Sequence, residues 1–491
     1  MYNNGCIKKD VTIMTKNFDA LKNIHKIHMI GIGGVSMSGI ALILKKDGFE
    51  VTGSDKNYGD MIDTLESNGI PVYIGSNADL VKDADVVVYT SAINQHDPEF
   101  VRAKSLGIPT YERAKFLGLL LTSYKMPICI CGTHGKTTTT SMISSIFIDA
   151  NMDPNVQVGS KHEKLNNSNY RLGNSDYFIL EACEYVDSFL NFPHHCATVL
   201  NIEAEHLDYF SDIEDIKKSF KKFILMLPEE GILVINQDDS HCMEVLDDVK
   251  DELQKKNVRV FKFSLSDPDA YIYAKNFKCN MKGFYSFDVT DPRNGKDYHF
   301  YLTVPGIHNV YDALAAITTC LAYGIKFEDM KESLSKFCGA KRRFEYKKTI
   351  AENVELYDDY AHHPTEIKAT LAAAKQKKHN RIICAFQPHT FSRTKELLPD
   401  FAHAFVDADI VYLMDIYAAR EVDDGTISSK DVSDLVNKNG TKAYYTPTLE
   451  EIAEKIKQEV QPGDIVLSMG AGNITHLSDY FEDIKNKKNN K

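Results

Sequence analysis

Short apolar runs of four or five residues, each closing on polar or glycine-rich positions, alternate along the chain with longer stretches whose apolar residues recur every three or four positions. The runs read as buried strands and the longer stretches as helices packed on them. Lys26-Ile-His-Met-Ile30 is predicted as a strand entering Gly31-Ile-Gly-Gly-Val-Ser-Met-Ser-Gly39, with a helix through Ile40 to Leu44 ending near Gly48. Phe49 to Asp55, Val86 to Tyr89 and Ile108 to Tyr111 continue the βα pattern. Ile128 to Cys131 is a strand behind Pro127, and Met142, Ile143, Ile146 and Phe147 mark the helix after it. Tyr177 to Leu180 and Ala197 to Leu200 are further strands, Lys217 to Lys222 an ordinary helix face, and Tyr311 to Tyr323 an alanine-rich helix closed by Gly324. Between Gly231 and about Val304 the pattern reads as strands and turns. After Cys338 it resets, with strands at Val354 to Tyr357, Arg381 to Phe386, Ile410 to Met414 and Ile465 to Ser468, and a helix from Thr365 to Lys375 started by Pro364. Strands alternating with helices predict an α/β protein with largely parallel sheets.

At 491 residues the chain exceeds one hydrophobic core, and its length suggests about three domains. The pattern places them at 25–123, 124–338 and 339–491, behind a polar tail at 1–24, with a Lys/Asn-rich end after Ile484. Fifty-seven basic against 69 acidic residues give a net charge of −12, which argues against nucleic acid as a partner. The ten cysteines include no C-x-x-C pair and read as reduced thiols. No run of 18 apolar residues and no signal-peptide core occur, so the expectation is a cytoplasmic protein without a membrane partner.

Chemistry concentrates at the ends of the predicted strands. In Gly132-Thr-His-Gly-Lys-Thr-Thr138 two glycines leave room for backbone N–H groups to face an anion at a helix start. Lys136 would reach terminal phosphates there and the Thr137 hydroxyl a magnesium ion. The usual first glycine of such loops is replaced by Ile130, so the general pattern is not met. Glu181 ends the next strand, and Asn201, Glu203, Glu205, His206 and Asp208 follow the one after; Glu181 and His206 are candidate metal ligands beside the loop. The first glycine loop points to a diphosphate or nucleotide. By itself it leaves open an NAD-dependent oxidoreductase with Asp55 on a ribose, although Ser36 stands where the third glycine of that fingerprint belongs. His308 or Asn309 is either a helix cap or an adenine contact. Lys341, Arg342 and Arg343 sit at the second boundary, where a guanidinium meets phosphates as domains close. The richest polar cluster is Asp358-Asp-Tyr-Ala-His-His-Pro364, followed by Gln387-Pro-His-Thr-Phe-Ser-Arg393.

These motifs, with Asn201-Ile-Glu-Ala-Glu-His-Leu-Asp208, Pro305-Gly-Ile-His-Asn309 and Lys341-Arg-Arg-Phe344, occur in the order found in the Mur ligases, the ATP-dependent amide-forming enzymes of peptidoglycan assembly, which the chain resembles from about residue 26 onward. The G-T-H-G-K-T form of the loop accounts for the missing first glycine. The resemblance implies three domains: an N-terminal Rossmann-like UDP-binding domain, a central P-loop ATPase-type sheet and a C-terminal Rossmann-like domain. It implies UDP-N-acetylmuramate at Gly33, Gly34, Ser36 and Ser91, and ATP at Gly132, Thr133, His134, Gly135, Lys136, Thr137, Thr138, Asn309 and Arg343. Mg²⁺ would sit at Thr137, Glu181 and His206. An L-alanine side of the cleft would be formed by Asp359, His362, His363 and Arg393, with His362 or Asp359 as the base. No covalent enzyme nucleophile is implied, and a monomer or weak homodimer is expected. The chain departs from the family pattern at Cys183, at Glu205 where Asp is common, and at Thr390 where many relatives carry Arg. Three alternatives remain: a recycling ligase that adds a preformed peptide to the same UDP-sugar, the NAD-dependent oxidoreductase, and a nucleotide-sensing binding protein.

Overall fold

A computed structural model describes residues 21–90, 93–207, 209–419 and 421–484. Most of the expected tail, the stretch 485–491 and Ser91 lie outside the described residues, whereas Leu21 is buried in the first core.

The chain forms three sheets in sequence order. The first is five-stranded and parallel, with Lys26–Ile30 at its centre between Glu50–Asp55 and Val86–Tyr89, and Val72–Ile74 and Thr110–Glu112 at the edges. This doubly wound order places the ends of the central strands, and the glycine loop after Lys26–Ile30, at the switch point where ligands bind. The second sheet has ten strands. Met126–Cys131 lies at its heart, paired in parallel with Tyr177–Glu181 on one side and Cys196–Val199 on the other. The expected polar strand ends are therefore brought side by side. The third sheet has six strands, in which Val354–Asp359, Ile465–Met469, Ile382–Phe386, Ile410–Leu413 and Lys442–Tyr445 are parallel and Glu345–Ala351 adds an antiparallel edge.

One expectation is corrected. Between Gly231 and Val304, read as strands and turns, Ser240–Lys255 forms a four-turn helix. Cys242, Val245, Leu246, Val249 and Leu253 bury its inner stripe, while its many charged residues cover the outer face and dilute the apolar pattern. Strands Ile272–Cys279, Phe284–Thr290 and Asp297–Pro305 then extend the sheet.

A single apolar core runs from Ile27, Met29 and Leu44 of the first domain through Phe116 and Leu120 to Cys129, Phe178, Phe220 and Ile235 of the second. The third sheet has its own two layers, led by Phe386 and Phe405 on one face and Leu356 and Ile452 on the other. The nine described cysteines are free thiols. Among the described residues no helix is long and apolar enough to cross a membrane.

Candidate active site

The phosphate-type loop leaves strand Met126–Cys131 and ends in helix Lys136–Asp149. Two of its residues take left-handed backbone, Gly132 at φ +137° and Gly135 at φ +82°, the latter capping the helix. A side chain at Gly135 would put its Cβ 2.4 Å from Asp312 Oδ1, so only glycine fits. Asn201, at the end of the neighbouring strand, staples the loop: its Oδ1 accepts from His134 N at 2.8 Å and its Nδ2 donates to His134 O at 3.1 Å.

Lys136 folds back on its own loop, donating to Gly132 O and to Thr133 O at 2.9 Å, and pairs with the buried Glu184 at 3.2 Å. Burial opposes its charge, but Glu184 more than compensates and the ammonium is held above its ordinary range. The Thr137 hydroxyl donates to Glu181 at 2.9 Å, and Glu181 also accepts Gly159 N at 2.7 Å. A hydroxyl and a carboxylate meeting at the positive end of a helix are hard oxygen donors of the kind a magnesium ion takes, so these residues fit one. His206 has φ +57°, stacks on Tyr185 with centroids 4.5 Å apart, and faces Glu184 at 3.9 Å. Burial keeps its imidazole below the ordinary value.

Beside the loop opens a cavity of about 350 Å³ lined by His134, Thr138, Asn236, Phe263, Asn309 and Arg343. Neither His308 nor Asn309 caps its helix, which starts from Ile307 without a side-chain cap; Asn309 Nδ2 donates instead to Pro305 O at 2.7 Å.

In the first domain Asp55 Oδ2 accepts Gly33 N at 2.9 Å, which ties the carboxylate expected on a ribose to the loop itself. Gly34 caps helix Val35–Lys46. Ser36 Oγ receives Gln157 Nε2 at 2.6 Å and Arg113 Nη1 at 3.2 Å, two partners not anticipated from the sequence.

The third domain meets the second across the cleft. Arg393 binds Glu205 through Nε and Nη2, at 2.9 and 2.8 Å, and Nη1 lies 3.0 Å from His389 Nδ1. Burial disfavours the Glu205 carboxylate, yet Arg393 and His363 hold its pKa down at about 2. Both oxygens of the buried Asp359 accept backbone N–H groups, of Ala361 and Phe344, each at 2.7 Å. Burial pushes Asp359 up to about 6. His362 Nδ1–H donates to Tyr360 O at 2.9 Å, which leaves the lone pair on Nε2, and burial keeps the ring neutral. Of the two expected base candidates, His362 therefore has the unengaged basic atom. Arg343 lies 3.8 Å from Glu366 and over the Tyr360 ring, while its neighbour Arg342 is spent on Asp358 at 3.2 Å and on Gly470 O.

His134, Glu203 and His363 bring ligand atoms within 4.8 Å of one another. As a cation site the group is opposed by its own hydrogen bonding. His363 Nδ1 accepts Thr365 N, which puts the proton on Nε2. His134 lies between Glu203 at 3.5 Å and Glu366 at 3.3 Å; despite burial they raise it to about 10.

All three domains line one cleft of about 1110 Å³, with Ser36 and Arg113 from the first, Glu181 and His206 from the second, and His389 and Arg393 from the third. Glu366, Arg113 and Gln157, which the sequence did not mark, and Glu184, which it offered only as a polar residue after a strand end with no role attached, are those that orient the expected ones. Glu184 alone carried a signal, since it follows a strand end.

Residues 26–125 match the Mur ligase family catalytic domain, 130–320 the Mur ligase middle domain and 342–472 the Mur ligase glutamate ligase domain. The chain is 45% identical over 455 residues to a UDP-N-acetylmuramate–L-alanine ligase of Acetivibrio thermocellus, covering 93% of this chain and 95% of that one. It is 44% identical to the enzyme of the same name from Clostridium novyi, covering 96% of this chain and 100% of the relative. Its fold is similar to a crystal structure of a UDP-N-acetylmuramate-alanine ligase from Thermotoga maritima, with a TM-score of 0.76 and 27% identity over 95% of this chain and 100% of that one.

Proposed function

The chain belongs to the Mur ligase family, and from that premise we propose that it joins L-alanine to the lactyl carboxylate of UDP-N-acetylmuramate with ATP as co-substrate, a step of peptidoglycan precursor synthesis. The observation that carries this reading is the shared cleft: Glu181, whose carboxylate accepts the Thr137 hydroxyl of the phosphate-type loop, a sugar-side serine and an arginine fork open into one space.

Ser36, presented by the first glycine loop and steadied by Gln157 and Arg113, holds the diphosphate of the UDP-sugar. Lys136 exchanges Glu184 for the terminal phosphates, and Asn309 and Arg343 line the nucleotide side. Thr137, Glu181 and His206 would hold Mg²⁺, which would neutralise phosphate charge. The lactyl carboxylate attacks the γ-phosphorus, breaking its bond to the bridging oxygen and releasing ADP from an acyl phosphate. The alanine amine then adds to the acyl carbon and the tetrahedral intermediate expels phosphate. Two anions must approach for the first transfer, so positioning and positive charge carry catalysis. His362 Nε2 takes the amine proton. Arg393 offers its guanidinium to the amino-acid carboxylate in exchange for Glu205.

The test is an assay of ADP release and amide formation with ATP, Mg²⁺ and UDP-N-acetylmuramate, adding either L-alanine or a preformed tripeptide. Product with L-alanine supports the proposal. Product with the tripeptide alone makes the chain a recycling ligase, and NADH oxidation without ADP makes it an oxidoreductase.

A further inference from the structure

Glu366 lies outside every motif that pointed to chemistry, yet the second and third domains meet on it. It is the third residue of helix Pro364–Lys375, and a capping box with His363 turns its carboxylate back over the helix start. Oε2 accepts the backbone N–H of His362 at 3.1 Å and lies 3.3 Å from His362 Nδ1. Oε1 reaches across the domain boundary to His134 Nδ1 at 3.3 Å and lies 3.8 Å from Arg343 Nη1. The other face of the His134 ring looks toward Glu203, itself held from the third domain by the Thr365 hydroxyl at 2.9 Å, and toward the His363 ring with centroids 5.0 Å apart. His134 sits between the two glycines of the phosphate loop, so a third-domain carboxylate fixes the orientation of a loop side chain 232 residues earlier in the chain.

We propose that Glu366 is a positioning residue for the nucleotide: brought in by the docked third domain, it aims His134 so that the loop grips a triphosphate fully only when that domain is seated. The inference rests on the reading that this loop binds ATP. Arg343 and His362 share the same carboxylate, which ties the nucleotide side of the cleft to the amino-acid side. Removing Glu366 leaves His134 with Glu203 as its one carboxylate partner among the described residues, against the burial that favours a neutral ring. A neutral ring no longer helps to hold a polyanion.

Glu366→Gln tests this, because glutamine keeps the capping box and with it the helix. Binding of β,γ-imido ATP with Mg²⁺ is measured by calorimetry for wild type, E366Q, His134→Gln and the double variant, near pH 6 and near pH 9. E366Q is expected to weaken binding about tenfold near pH 9 and about twofold or less near pH 6, because in the variant His134 loses its proton between them. In the His134→Gln background E366Q is expected to add nothing. A loss equal at both pH values, no loss at all, or losses that add in full overturn the proposal. Turnover is not needed, so the two readings separate: wild type that fails to bind the analogue refutes the loop assignment, whereas wild type that binds beside an E366Q variant that binds equally well refutes only the role of Glu366.

Discussion

Arg393 Nε and Nη2 both donate to one oxygen of Glu205, at 2.9 and 2.8 Å, joining residues 188 positions apart on two different domains. In this arrangement the guanidinium fork holds a carboxylate of the protein itself. Glu205→Ala strands a largely buried guanidinium, and truncating one partner of such a pair costs about 3 kcal/mol. Thermal unfolding is expected to show the third domain melting earlier. The pH sign follows from the depressed Glu205 pKa. Its contribution is complete above the ordinary glutamate value and fades as pH falls toward about 2. The wild-type melting temperature therefore drops on acidification, and Glu205→Gln is expected to show a smaller drop.

Lys136→Ala is expected to lower ADP formation by about a thousandfold or more, since the ammonium is the loop's own charge on the transferred group. UDP-sugar affinity is expected to stay within about twofold, because Ser36 and its partners belong to the other end of the cleft. A fluorescence binding titration beside the ADP assay checks both.

Glu181→Ala removes the carboxylate that accepts the Thr137 hydroxyl. The Mg²⁺ concentration giving half-maximal activity is expected to rise about tenfold to a hundredfold. A Mg²⁺ titration at saturating ATP reads it, and an unchanged midpoint counts against the assignment.

His362→Asn is expected to cut kcat by about a hundredfold to ten-thousandfold. Burial lowers the His362 pKa, so in wild type the ring stays neutral at neutral pH and activity falls only on the acid side of the ordinary histidine value. That acid limb is expected to vanish from the pH profile of the variant. Its persistence would move the role to another group.

What was legible in the sequence was local. Strand, glycine, lysine, threonine and helix follow one another within residues 128–147, so the loop announced itself, and its neighbours Glu181 and Asn201 came from strands whose apolar runs are short and cleanly ended. The pairings that orient these groups were not legible. Glu205 with Arg393, Glu366 with His134 and Ser36 with Gln157 join residues between 121 and 232 positions apart, and nothing local marks a carboxylate as buried. Helix Ser240–Lys255 was missed for a different reason. Its spacing was present, but an acidic outer face hid the stripe among charges. Asp359 shows the reverse failure, since a motif that looked like free acid chemistry spends both oxygens on backbone N–H groups.

The unbroken apolar core from Met29 to Ile235 makes the first two-thirds of the enzyme a single solid piece, whereas the last third is moored to it by ions and hydrogen bonds around Glu205 and Glu366. The chain crosses from one part to the other near Arg342 and Phe344, whose backbones take left-handed conformations. Under the proposed function, donor sugar and nucleotide would share one apolar-welded unit, and the amino-acid side would reach them across a joint made of charges.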